Sequence, residues 1–153
     1  MADRAPRNDT EAPQNTSRGL NPRAVQMVES ALIGVLSLVG TIVLAPHMWW
    51  FPFAVFFVFD LSALGYLRSP ATGAVWYNAT HTYAWPALVG VIALVTVTFS
   101  PEWSLWLALV AFAWAFHVGF DRMLGYGLKL PDAFTHTHMG WIGKDRPATT
   151  PTR

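Results

Sequence analysis

Polar and apolar positions fall in long blocks along this chain. Residues 1–23, MADRAPRNDTEAPQNTSRGLNPR, carry one large aliphatic side chain, Leu20, and no aromatic one. That is too little apolar surface to offset the entropy of ordering, so a disordered tail is expected there. No short apolar core backed by a cleavage site lies within it, so the tail is expected to stay on the protein. From Ala24 onward come four apolar stretches, each near the roughly 20 residues that carry a helix across a bilayer's hydrocarbon core. The pattern predicts an all-α polytopic membrane protein with four transmembrane helices in an antiparallel bundle.

The punctuation of the chain sets the expected ends. Helix one covers 24–44 and stops at Ala45-Pro46, because proline disfavours helical geometry in the residue before it. Helix two covers 49–67, with Trp49, Trp50 and Phe51 suited to an interfacial aromatic belt. Helix three covers 71–99, starts behind Pro70, and is expected to kink at Pro86. Helix four covers 101–124, with Ser100 as N-cap, Pro101 in the first turn and Glu102 at the positive helix end. Gly125-Tyr126-Gly127 ends it, and residues 129–153 form a C-terminal segment that lies on the interface or folds back over the bundle.

Composition agrees with a membrane protein: 53% of residues are hydrophobic and 12% charged. The net charge of +1 gives no field for gathering nucleic acid, and a nucleic-acid partner is excluded. With no cysteine there is no disulfide, thiolate metal site or cysteine nucleophile. The positive charges sit in the N-terminal tail, at Arg68, and at Arg122, Lys129, Lys144, Arg146 and Arg153. By the positive-inside rule both termini and the Arg68 turn are expected to be cytoplasmic.

Ionisable groups within a bilayer are costly and call for a partner, a water-filled cavity or a function. The spans hold Glu29, Asp60, His81, His117 and Asp121. At about 1.5 Å per residue, most lie roughly 5 to 10 Å from the cytoplasmic end, with His81 nearer 15 Å. Each span contributes at least one, so an antiparallel bundle can point them at a common centre. His117 and Asp121, at i and i+4, share a helix face, as do Tyr77 and Asn78 with His81. Asp60, His81, His117 and Asp121 are therefore the candidate ligands of a divalent metal, zinc, iron or manganese. His81, His117 and Asp121 are the candidate catalytic groups. Glu29, Tyr77, Asn78, Arg122 and His138 are peripheral candidates. The competing reading makes these residues helix-packing glue, with Asp60 bonded to His81 or Tyr77 and Asp121 to Arg122 or His117. His47 and His136 read as surface histidines, and the Asn78-Ala79-Thr80 sequon as accidental.

Three stretches, FDLSALGYLRSPATGAVWYNATHTYAWP, WAFHVGFDRMLGYGLKLPDAF and THMGWIG, resemble in order and spacing the prokaryotic membrane family catalogued as domain of unknown function 4260. The likeness covers about Val25 to Gly143. Its pattern falls on Asp60, Gly65, Tyr66, Tyr77, Asn78, His81, Tyr83, His117, Asp121, Arg122, Gly125, Tyr126, Gly127, Phe134, Thr137 and His138, and Glu29 fits its acidic residue near the start of helix one. Leu130, Thr135-His136 and Trp141 depart from it. The resemblance implies a small polytopic protein of a prokaryotic plasma membrane with a shared polar centre, and no reaction.

Three functions compete on these residues. The preferred one is an enzyme using metal-activated water or a His/Asp acid–base pair on a lipid or small amphiphile. The others are a proton-linked carrier or channel, which at this size calls for a homo-oligomer, and a structural module. Membrane lipid is the expected partner.

Overall fold

The structure is a computed structural model and describes residues 21–143; the expectations for residues 1–20 and 144–153 lie outside it. It is mostly helical, and four segments are long and apolar enough to cross a membrane: Pro22–Leu44, Pro46–Leu67, Pro70–Thr96 and Pro101–Met123. The first span is helix α1 (Pro22–Leu44). The second opens with a 3₁₀ turn at Pro46–Met48, passes through short α2 (Phe51–Ala54) and continues as a 3₁₀ helix over Phe56–Leu67. The third is split into α3 (Pro70–Thr80) and α4 (Ala84–Thr96), and the fourth is α5 (Pro101–Met123). A small antiparallel hairpin, β1 (His136–Thr137) with β2 (Gly140–Trp141), follows.

The surface is inverted relative to a water-soluble bundle. Leu36, Val43, Phe57, Leu67, Leu94 and Phe99 point outward, while the buried residues of α1 are Ser30, Gly34, Ser37 and Thr41. Small residues at the helix interface and large apolar ones outside suit a lipid solvent, where association rests on close packing rather than on expulsion of water. Ser37 and Thr41 return their hydroxyls to carbonyls one turn back, at 2.8 and 3.0 Å, so neither is left unsatisfied. Gly119 of α5 lies directly against this stripe; a Cβ there would stand 2.7 Å from the Ser30 carbonyl and 2.9 Å from the Gly34 nitrogen. α5 is the hub, packing on α1, α4 and the second span. Ser104 Oγ ties it to α4 by donating to the Ala93 carbonyl at 2.8 Å. Toward the Pro101 end, α1, α4 and α5 leave an apolar cavity of about 760 Å³ bordered by Gly40, Gly90 and Ala108.

The second span departs from the expected α-helix for a reason that lies in its contacts. Phe56 meets His117 edge-on, Phe59 stacks on Trp114, Ser62 Oγ accepts from Thr80 Oγ1, and Gly65 lies on Trp76 and Gly73. These four residues recur every third position. A 3₁₀ helix, with about three residues per turn, stacks them in one row. An α-helix would rotate Gly65 about half a turn away from Phe56. Runs this long are uncommon, and the row of partners on α3 and α5 is what sustains it.

The third span also differs from the expected single kinked helix. Its interruption is at His81-Thr82-Tyr83, before Pro86, and Pro86 sits in the first turn of α4, where a missing N–H costs nothing. The carbonyls freed by the break are used. Trp114 Nε1 donates to Thr80 at 2.7 Å and Arg122 Nη2 to His81 at 3.2 Å. α4 ends at Thr96, short of the expected Phe99. Ser69 caps α3 through the Thr72 N–H at 3.0 Å, whereas Ser100 makes no side-chain cap on α5.

Candidate metal centre

Two structural units each bring one carboxylate and one imidazole to the same point. α5 supplies His117 and, one turn on, Asp121. The 3₁₀ segment supplies Asp60, and His81 caps the C-terminus of α3. The Nε2 atoms of His81 and His117 are 3.0 Å apart. Asp60 Oδ1 lies 3.5 Å from His81 Nε2 and 3.7 Å from His117 Nε2; Asp121 Oδ2 lies 3.4 and 3.9 Å from the same atoms. One ligand atom from each residue falls within 4.8 Å of all the others. His117 and His81 are buried, at 0% and 3% exposure, Asp121 is 15% exposed and Asp60 39%, so the cluster opens on the Asp60 side.

The surrounding bonds fix the orientation of the rings. His81 Nδ1 is 2.9 Å from the Tyr77 carbonyl, which can only accept, so Nδ1 carries the proton and Nε2 presents a lone pair. Thr80 Oγ1 lies 2.8 Å from the same Nδ1, and its own proton goes to Ser62 Oγ at 2.8 Å. Tyr77 stacks on His81 with ring centres 3.5 Å apart and donates its hydroxyl to Asp121 Oδ2 at 2.8 Å. Phe56 and Phe59 wall in the His117 ring. His117 Nδ1 has no hydrogen-bond partner among the described residues. The His81 lone pair therefore faces two carboxylate oxygens. The proton that His117 Nε2 can offer satisfies one such acceptor, and a cation at the shared point satisfies all of them. Around a four-coordinate ion with bonds of about 2.1 Å, ligand atoms stand about 3.4 Å apart; the His–His and His–Asp separations here run from 3.0 to 3.9 Å, and the whole set falls within 4.8 Å.

The other sequence candidates lie around or away from this cluster. Tyr77 bridges two of its members. Asn78 faces the C-terminal segment: its Oδ1 accepts from the Lys129 N–H at 2.6 Å and its Nδ2 donates to the Lys129 carbonyl at 2.9 Å. Arg122 lies over the Tyr83 ring and bonds the His81 carbonyl; of the two partners expected for Asp121, Arg122 is turned elsewhere and His117 stands at 3.9 Å, while the Tyr77 hydroxyl is its closest contact at 2.8 Å. His138 is outside the cluster; its Nδ1 accepts from the Leu128 N–H at 2.8 Å, and burial holds its pKa below the ordinary histidine value. Glu29 is exposed on α1 and takes no part. His136 is paired with Asp132 at 2.7 Å and stacked on Trp141.

Sequence reasoning passed over Lys129. It is 2% exposed, and its ammonium lies 4.0 Å from the centre of the Phe134 ring, 4.9 Å from Tyr77 and 5.3 Å from Tyr126. No local pattern marks it, because Tyr77 comes from α3 and only the fold brings it onto the lysine.

A scan against family models matches residues 23–142 to Domain of unknown function (DUF4260). The chain belongs to the DUF4260 family. Every ligand candidate lies inside the matched region, and so do Tyr77, Asn78, Arg122, Lys129 and His138. No curated protein and no solved structure gives a match.

Proposed function

We propose that Asp60, His81, His117 and Asp121 hold one divalent ion, zinc, iron or manganese, and that the protein is a membrane-embedded metalloenzyme acting on the polar end of a lipid or small amphiphile. The observation that carries this reading is the convergence of two imidazole and two carboxylate ligand atoms within 4.8 Å. Two nitrogen and two oxygen donors suit these metals, and an ion that took water as a fifth ligand here, or in place of the exposed Asp60, would lower the pKa of that water toward about 7. Thr80 and the Tyr77 carbonyl would hold His81 in its metal-binding tautomer, and the Tyr77 hydroxyl would orient Asp121, as outer-shell groups do in metal sites. Asp60, the most exposed member, marks the side on which water and substrate exchange. Burial of the cluster within spans supports a membrane-borne substrate. The distribution of Lys and Arg supports both termini on the cytoplasmic side of a prokaryotic plasma membrane, with the centre in the inner leaflet.

Elemental analysis of the full chain in detergent tests the reading. Near-stoichiometric metal is expected in the native protein and not in His117→Ala or Asp60→Asn, compared at equal elution volume and helicity. A well-folded native sample that takes up no metal under replete conditions overturns it, and leaves proton-linked carriage or helix packing by the same residues.

A further inference from the structure

Asp60 stands where two spans part. Toward Arg68 the second span and α3 are zipped together: Thr80 Oγ1 donates to Ser62 Oγ at 2.8 Å, Gly65 lies on Trp76, and the Tyr66 ring lies on Gly73, where any side chain would collide with it. Phe134 of the C-terminal segment closes over Tyr66 and Tyr77, with 5.2 and 6.5 Å between ring centres. Toward Pro46 the pairing ends. The break at His81-Thr82-Tyr83 turns the third span away, and α4 packs on α5 instead. The two spans thus make a fork, with His81 at its angle, 3.5 Å from Asp60. Trp114 of α5 backs this angle, stacked on Phe59 and bonded to the Thr80 carbonyl.

The winding of the second span decides what faces the opening. With about three residues per turn, its residues fall in three rows. Phe56, Phe59, Ser62 and Gly65 form the row that meets α3 and α5. Val58, Leu61, Leu64 and Leu67 form the outer row, each more than half exposed. Phe57, Asp60, Ala63 and Tyr66 form the flank between them. At one end of that flank Tyr66 is covered by α3 and Phe134; at the other Phe57 is 75% exposed. Asp60, 39% exposed, lies between the two, so its open side is the side of Phe57 and the outer row. Those side chains lie in hydrocarbon once the span crosses a membrane.

A charged group that approached through hydrocarbon would bear a large desolvation cost, whereas an ester, amide or hydroxyl bears a much smaller one. Building on the ion-binding reading, we propose that the centre opens sideways into the bilayer through this fork. Its substrate is a hydrocarbon chain bearing an uncharged polar group, which enters past Phe57 and leaves its chain lying in the fork.

Carbodiimides add a carboxyl O–H across one C=N bond and tag the residue, and they come in lipid-soluble and water-soluble forms. Which form tags Asp60 therefore reports which phase reaches it. The full chain, stripped of metal, is treated in phosphatidylcholine nanodiscs, and tags are located by peptide mass spectrometry. Dicyclohexylcarbodiimide is expected to tag Asp60; a water-soluble carbodiimide is expected to tag Asp132, exposed on the hairpin side, and to miss Asp60. Phe57→Trp, a change on an exposed side chain, is expected to slow the reaction at Asp60 by narrowing the mouth. In the cobalt-loaded chain, decanohydroxamic acid, uncharged at pH 7, is expected to perturb the visible spectrum of the metal, and decyl phosphate to leave it unchanged. Asp60 missed by the lipid-soluble reagent, or tagged by the water-soluble one as readily as Asp132, overturns the sideways mouth. A native rate in folded Phe57→Trp removes Phe57 from it, and a spectrum moved as much by decyl phosphate overturns the uncharged substrate. Tagging of Asp60 by the lipid-soluble reagent alone, in a chain that takes up no metal, upholds the mouth and strikes the ion reading, with the substrate drawn from it.

Discussion

The α1–α5 pair and the pairing of the 3₁₀ segment with α3 solve the same problem differently. α1 and α5 are regular helices brought into backbone contact at Gly34 and Gly119, with Ser30, Ser37 and Thr41 filling the seam. The 3₁₀ segment and α3 are both irregular, one overwound and the other stopped midway through its span. Yet each side delivers one aspartate and one histidine to the centre. The regular pair sets the distance between helices, while the irregular pair aims the ligands. An unbroken α-helix through residues 70–96 would carry His81 through a standard turn; the break lets its backbone carbonyl turn to Arg122 and its ring to His117.

That division of labour can be broken at several points. The largest effect is expected from Gly119→Val, whose side chain would run into the backbone of α1 and separate the helices. A loss of about 1–3 kcal/mol or more should appear in thermal unfolding in detergent, with metal per folded molecule little changed. Thr80→Val should do the converse, lowering metal affinity about tenfold to a hundredfold in a chelator competition while costing only about 1 kcal/mol of stability. If Gly119→Val strips the metal from folded protein and Thr80→Val does not, the two sides do not have separate tasks.

The lysine cage sharpens the comparison through pH. Lys129 has its pKa lowered from 10.5 to about 8 in the folded chain by burial. Below about 8 it is protonated in both states and the folded state bears the cost of a buried charge. Between 8 and 10.5 the unfolded chain binds more protons, so stability should rise with pH in that window, by on the order of 1–3 kcal/mol. Lys129→Met should flatten that rise in a series of unfolding curves. The smallest effect is expected at the surface hairpin. The hydrogen bond from His136 holds the Asp132 carboxyl below its ordinary range, so His136→Ala should move that carboxyl upward in an NMR titration and leave metal content untouched.

The cluster was legible in the sequence because its background is so apolar. Asp60, His81, His117 and Asp121 stand out among Leu, Val, Phe and Trp, and their similar depth in antiparallel spans points to one level of the bundle. Glu29 has the same depth and the wrong rotation, which depth alone does not encode. The 3₁₀ winding was hidden for a related reason: in Phe56–Leu67 nearly every residue is apolar, so a period of three leaves no mark against one of 3.6. At the break in the third span the residues are His81-Thr82-Tyr83, without glycine or proline, and the attractive signal five residues past His81, Pro86, marks a helix start. Lys129 read as one more cytoplasmic charge because nothing local says that Tyr77, Tyr126 and Phe134 close around it.

The row formed by Phe56, Phe59, Ser62 and Gly65 also bears on the order in which the molecule assembles. Before α3 and α5 are present, the second span has no partners to hold it overwound, and in lipid it is free to take the ordinary α-helical winding that scatters the row around its axis. Only when the last span is in place can the segment rewind and swing Asp60 inward. Asp60 would thus be the last of the four residues to take its place in the cluster.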